Sequence, residues 1–114
     1  MRVEGVFRDA KETKSVPAGT VIFQEGDTGN EMYGIVEGKV QLASPSGVVA
    51  ELGPDDVFGE MAIIDHRTRM ATATATTDTT LAVIDRQRFL WLTHETPTFA
   101  LQVMATMAER LRHH

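Results

Sequence analysis

Apolar and polar positions alternate in short bursts over the first three-quarters of the chain, with turn-formers between the bursts. Thr20–Gln24, Met32–Val36, Val40–Ala43, Val48–Leu52, Met70–Thr76 and Thr79–Ile84 are each a few residues long and rich in strand formers or two-residue alternation. A half-buried strand shows that period because successive side chains point to opposite faces. Between them lie Pro17-Ala18-Gly19, Glu25-Gly26-Asp27, Glu37-Gly38-Lys39, Ser44-Pro45-Ser46-Gly47 and Gly53-Pro54-Asp55-Asp56. In such clusters Gly reaches positive φ, while Pro and Asp favour turns. Many short strands punctuated in this way predict a closed β-roll over residues 15–85, not an α/β sheet. Residues 1–14 mix charges with Val3, Val6 and Phe7 and predict an N-terminal arm or short helix packed on the roll.

The period changes after Asp85. Residues 86–112 predict C-terminal helices: one or two turns over Arg86–Leu92 with Asp85 as N-cap, then a second helix with Thr96 as cap and Pro97 in its first turn. Along that second helix Ala100, Met104, Met107 and Leu111 recur at spacings of four, three and four, one face of a helix. That face either packs on the roll or serves as a lid or self-association surface.

Composition narrows the class. A chain of 114 residues, 42% hydrophobic and 24% charged, has material for one core, so residues 1–114 are expected to form one domain. A formal charge of −5 lacks the basic excess on which nonspecific nucleic-acid binding draws. The absence of cysteine excludes a disulfide framework, a thiolate nucleophile and a cysteine metal site. No apolar run reaches the length of a membrane span and the N-terminus has no signal-peptide core, so a soluble cytoplasmic protein is expected. His66, His94, His113 and His114 are scattered, with none in the early strands, which argues against the paired-histidine metal site of a cupin. No Ser-His-Asp arrangement is placed. The threonines from Thr72 to Thr80 read as strand alternation and the six methionines as core filler. An enzyme is not expected.

The candidate chemistry sits in Phe58-Gly59-Glu60-Met61-Ala62-Ile63-Ile64 and in Arg69, nine residues after Glu60. Gly59 lets backbone approach a ligand closely because no Cβ intervenes. Backbone N–H groups of Met61 and Ala62, at the start of a short helix, suit an anion. Arg69 offers a planar fork matched to phosphate oxygens. Glu60 repels phosphate but accepts from a sugar hydroxyl. Each residue also has a plain structural reading: Arg69 as a solvated surface charge, Glu60 as a first-turn acid favoured by the helix dipole, or the two as a salt bridge. Taken in order, they point to a phosphate-sugar pocket.

The same run, continued by Thr68-Arg69-Met70-Ala71-Thr72, resembles the phosphate-binding cassette of cyclic-nucleotide-binding domains, the family of catabolite activators and protein kinase A regulatory subunits. Upstream, Val16-Pro17-Ala18-Gly19-Thr20-Val21-Ile22-Phe23-Gln24-Glu25-Gly26-Asp27 and Met32-Tyr33-Gly34-Ile35-Val36-Glu37-Gly38-Lys39-Val40 resemble the strands and turns that lead to that cassette. The resemblance implies a mainly β fold with C-terminal helices: a double-stranded β-helix, or jelly-roll-like β-roll, with a short cassette helix and a C-terminal lid helix. It also implies that Arg69 pairs with a cyclic phosphate, aided by the N–H groups of Met61, Ala62 and Met70. Glu60 would accept from the ribose 2′-hydroxyl, and Gly59 would admit the ligand.

Two positions depart from the family pattern. Thr68 replaces a common proline, and Met70 stands where alanine, serine or threonine is usual. Lacking a hydroxyl, Met70 favours cyclic AMP over cyclic GMP as the ligand, and no further cofactor is implied. Asp65 and Arg67 add charge beside the presumed phosphate. The expected role is a sensory or regulatory module acting on a downstream protein, with the C-terminal helix a candidate for homodimer formation. The alternatives are a nucleotide-free interaction module of the same fold, or the sensor part of a longer transcription regulator or channel. Of this chain alone, neither DNA binding nor a membrane segment is expected.

Overall fold

Two four-stranded antiparallel sheets face one another across the core of the computed structural model, which describes residues 5–7, 10–65 and 68–112. The strands are β1 (Thr13–Val16), β2 (Val21–Phe23), β3 (Glu31–Glu37), β4 (Val40–Ser44), β5 (Gly47–Leu52), β6 (Val57–Phe58), β7 (Thr72–Ala75) and β8 (Thr79–Asp85). The helices are α1 (Met61–Ile64), α2 (Arg86–Glu95) and α3 (Pro97–Arg112). One sheet runs β1-β8-β3-β6 and the other β2-β7-β4-β5. Chain neighbours thus fall repeatedly in opposite sheets, the layout of the jelly roll expected from the sequence.

Strand β7 shows why alternation was a sound signal. Ala73 and Ala75 point inward and are buried, whereas Thr72 and Thr74 are half-buried. Small inward side chains there leave room for Leu42, Phe23 and Phe58, which belong to the same cluster. A second cluster, of Phe7, Met32, Val57, Ile63, Ala82, Ile84, Leu92, Phe99 and Val103, joins the first sheet to the helices.

Two strands were not anticipated. β1 begins at Thr13, inside the segment expected as an arm, and its polar face shows no alternation to betray it. Pairing supplies what the pattern lacked: Thr13–Val16 lie opposite Ala82–Thr79 of β8, and Ser15 Oγ meets Thr80 Oγ1 at 3.1 Å. β6 is only two residues long, too short to carry a period, and is defined by pairing with Tyr33 and Gly34. Of the expected arm, Phe7 does pack on the domain, edge-on to Phe99 and against Gly34, where a Cβ would collide with its ring. Val3, His66, Arg67, His113 and His114 lie outside the described residues.

Asp85 caps α2 as expected, its Oδ1 accepting from Arg88 N at 2.7 Å, and the helix continues one turn further, to Glu95. Pro97 opens α3, but the buried face of α3 differs from the predicted one. Phe99, Gln102 and Val103 are fully buried, whereas Met104 is 56% exposed and Ala100 half-buried; of the predicted stripe, Met107 packs on the core. The apolar residues of α3 form two overlapping stripes, and a polar Gln102 within the true one masks it. Packing decides between them: Phe99 meets the rings of Phe7 and Phe89, and Gln102 Nε2 donates to Asp55 O.

The β3–β4 turn tests how closely this frame is packed. Gly38 has φ +100°, and a Cβ there would meet Thr79 Oγ1 and lie 2.6 Å from Asp78 O. Gly38→Ala is expected to cost about 2–4 kcal/mol, from left-handed strain plus overpacking. Gly19→Ala, at φ +90° with nothing within 4 Å of the new methyl, should cost only the backbone share. Urea denaturation midpoints of the two variants measure the difference.

Candidate functional site

Gly59, at φ +80°, turns the chain from β6 into α1, and three elements converge on that turn. A Cβ at Gly59 would stand 2.9 Å from Arg69 Nη1 and 3.4 Å from the Phe23 ring. Glycine is therefore required twice, for its backbone angle and for the guanidinium packed against it. Glu60 follows with only 1% of its surface exposed.

Arg69 is 7% exposed, which overturns its reading as a solvated surface charge. Its Nη1 donates to Gly59 O at 3.1 Å and its Nη2 to Glu31 O at 2.8 Å. Its guanidinium carbon lies 4.1 Å from the centroid of Phe23, a cation–π distance. The main chain of Arg69 is held as firmly. Arg69 N donates to Asp27 O, and Gly26 N donates to Arg69 O, both at 2.8 Å. The loop that makes these bonds is itself braced by Gln24 N donating to Asp27 Oδ2 and by Glu25 N donating to Thr72 Oγ1.

Electrostatically the site is an enclosed cation among acids. Burial lowers the pKa of Arg69, opposed by Tyr33 once it ionises and by the carboxylates of Glu31, Asp27 and Glu60. Tyr33 moves the other way: burial raises its pKa, and the Glu31 charge adds to the rise. Tyr33 Oη also donates to Glu31 Oε1 at 3.4 Å.

Of the residues picked from the sequence, Gly59, Glu60 and Arg69 are brought together. Met70 points outward with 65% of its surface exposed. One expectation is corrected. Ala62 N is not a free donor, because it donates to Gly59 O at 3.3 Å in the tight first turn of α1. The sequence reading missed Phe23, Asp27, Gly29 and Glu31. Phe23 looked like ordinary strand core, and Glu31 acts through its carbonyl, which every residue has. The Gly-Asp turn at 26–27 was read only as punctuation, and Gly29 lay outside the turn clusters. No group of three or more metal-ligating side chains occurs among the described residues. No helix among them is long and apolar enough to cross a membrane.

Residues 13–96 match the model of the cyclic nucleotide-binding domain family, and the chain belongs to that family. It is similar to the cyclic AMP receptor protein of Thermus thermophilus, at 38% identity over 84% of this chain and 47% of that protein. A cyclic nucleotide-gated potassium channel of Rhizobium etli is 40% identical over 89% of this chain and 28% of the channel. The crystal structure of the Thermus thermophilus catabolite activator protein superposes with a TM-score of 0.75 at 37% identity, covering 89% of this chain and 50% of that one. The chain thus spans about half or less of the length of these relatives.

Tyr33 is the sole tyrosine, so its ionisation can be followed alone. Its folded pKa lies above the ordinary 10.0. The stability this contributes is therefore fully present below pH 10 and lost as pH rises through the folded value. Phenolate absorbance of the native protein should rise at higher pH than that of the urea-unfolded chain. Tyr33→Phe should flatten the fall of stability in that alkaline range.

Proposed function

We propose that this domain binds a cyclic nucleotide, cyclic AMP in preference to cyclic GMP, and serves as the sensory module of a regulatory protein. The observation that carries the reading is the joint burial of Glu60 and Arg69 about the Gly59 turn, 1% and 7% exposed, in a chain of the cyclic nucleotide-binding family. A carboxylate and a guanidinium are seldom enclosed together unless they serve each other or a ligand. Arg69 suits the cyclic phosphate because its fork matches two oxygens, and Glu60 suits the ribose hydroxyl because an ionised carboxylate only accepts. Gly59 admits the ligand's backbone contacts, with the first turn of α1 at Met61 and Ala62 beside it. Relatives that are a cyclic AMP receptor protein and a nucleotide-gated channel support an output through a longer protein, driven by a different affinity of the ligand for two conformations.

The preference for the adenine base rests on Met70. Exposed at 65% and without a hydroxyl, its side chain offers guanine no hydrogen bond. This assignment requires the base to lie beside residue 70, as the family resemblance implies.

Calorimetric titration with both nucleotides tests the reading, and the absence of binding to the folded protein at millimolar ligand would refute it. Arg69→Ala is expected to weaken binding by about 2–4 kcal/mol, the loss of a charge-assisted bidentate partner. Arg69→Lys should recover only part of this, since an ammonium lacks the fork.

Met70→Thr is expected to shift the affinity ratio toward cyclic GMP by about 1 kcal/mol, one ordinary hydrogen bond. Titrating the variant with each nucleotide measures the shift; an unchanged ratio would place the base elsewhere.

A further inference from the structure

A guanidinium can grip a phosphate through two edges, Nε with one terminal nitrogen or the two terminal nitrogens together. In this structure each edge of Arg69 is engaged or sealed in part. Nη1 donates to Gly59 O and Nη2 to Glu31 O, and Nε is sealed from solvent with no hydrogen-bond partner among the described residues. The group lies in a fitted slot. Phe23 lies 4.1 Å from its carbon, a Cβ at Gly29 would stand 2.8 Å from Cζ and Nε, and one at Gly59 2.9 Å from Nη1. The Phe23 ring is in turn held against Tyr33 and Phe58, with centroids 6.2 and 5.9 Å away.

We propose that Phe23 is a platform that withholds Arg69 in the conformation seen here, so that a cyclic nucleotide must draw the guanidinium off the ring and off at least one carbonyl before the phosphate is gripped by two N–H groups. The proposal rests on the cyclic nucleotide reading above and adds its regulation. Apparent affinity then equals the intrinsic affinity scaled by the fraction of molecules in which Arg69 is released. Release also takes a donor from the carbonyl of Glu31 or Gly59, so the withheld and released forms differ beside the turn that carries Glu60. The opposite arrangement, in which the ring pre-positions Arg69 for the ligand, predicts the opposite sign for every variant below.

The test is calorimetry with cyclic AMP and cyclic GMP on the full chain as wild type, Phe23→Leu and Gly29→Ala. The leucine removes the π face. The alanine methyl presses the guanidinium out of its slot, at a position where φ is not in the left-handed region. Phe23→Leu is expected to bind about fivefold tighter, the worth of a partly desolvated cation–π contact, and Gly29→Ala to change in the same direction. Because Phe23 is a core residue, nuclear magnetic resonance of the wild type supplies an independent measure. The Arg69 Nε–H signal should be ring-current shifted and slow to exchange in the free protein, and should leave that position on saturation with ligand. Binding by the wild type with equal or weaker binding by both variants overturns the proposal alone, as does an Nε–H signal that keeps its ring-shifted position in the saturated complex. No binding by any of the three folded proteins overturns the nucleotide reading and this proposal with it.

Discussion

The enclosure of one cation, the Arg69 guanidinium, is the constraint around which this half of the roll is arranged. Removing a charge from water is costly unless dipoles and opposite charges replace the hydration shell. Here the replacements come from three stretches of chain. The carbonyls of Gly59 and Glu31 take two N–H groups, the Phe23 face covers the flat side, and the charges of Glu31, Asp27 and Glu60 surround the group at longer range. The glycines at 29 and 59 are the steric counterpart, since a methyl at either position would take space the guanidinium occupies. Loop 24–27 completes the enclosure by fixing the Arg69 backbone at both its N–H and its carbonyl.

That enclosure is tied to the C-terminal helices by polar contacts on either side of it. Gln102 of α3, fully buried, donates to the carbonyl of Asp55 just ahead of β6. Arg86, the first residue of α2, donates from Nη1 to Ile63 O at 3.3 Å, in the cassette helix. Ile63 also packs in the same cluster as Leu92, Phe99 and Val103. The segment from Asp55 to Ile63, with Gly59 and Glu60 at its centre, is therefore held at both ends by the helices. Any displacement of the turn is felt there through close-packed contacts that cannot deform smoothly.

Local signals in the chain determined a good deal. Alternation and turn residues located six of the eight strands to within a few residues, because a half-buried sheet imposes a period of two and glycine turns impose its limits. The Asp85 cap and the Pro97 start were legible because their chemistry is local to one helical turn. Gly59, Glu60 and Arg69 could be picked out as a group because a glycine, a carboxylate and an arginine in that order are residue types visible in the letters. What only the tertiary structure decided has in common that it depends on partners distant in sequence. Strand β1 exists through β8, some 65 residues away, and β6 through its pairing with β3. The buried face of α3 was chosen by Phe7 and Asp55, because two apolar stripes competed and the sequence alone had no means of ranking them. The surroundings of Arg69 are the clearest case. Its partners are two carbonyls, a ring and two glycines without side chains, groups whose significance arises only where the fold sets them within about 3–4 Å of a cation.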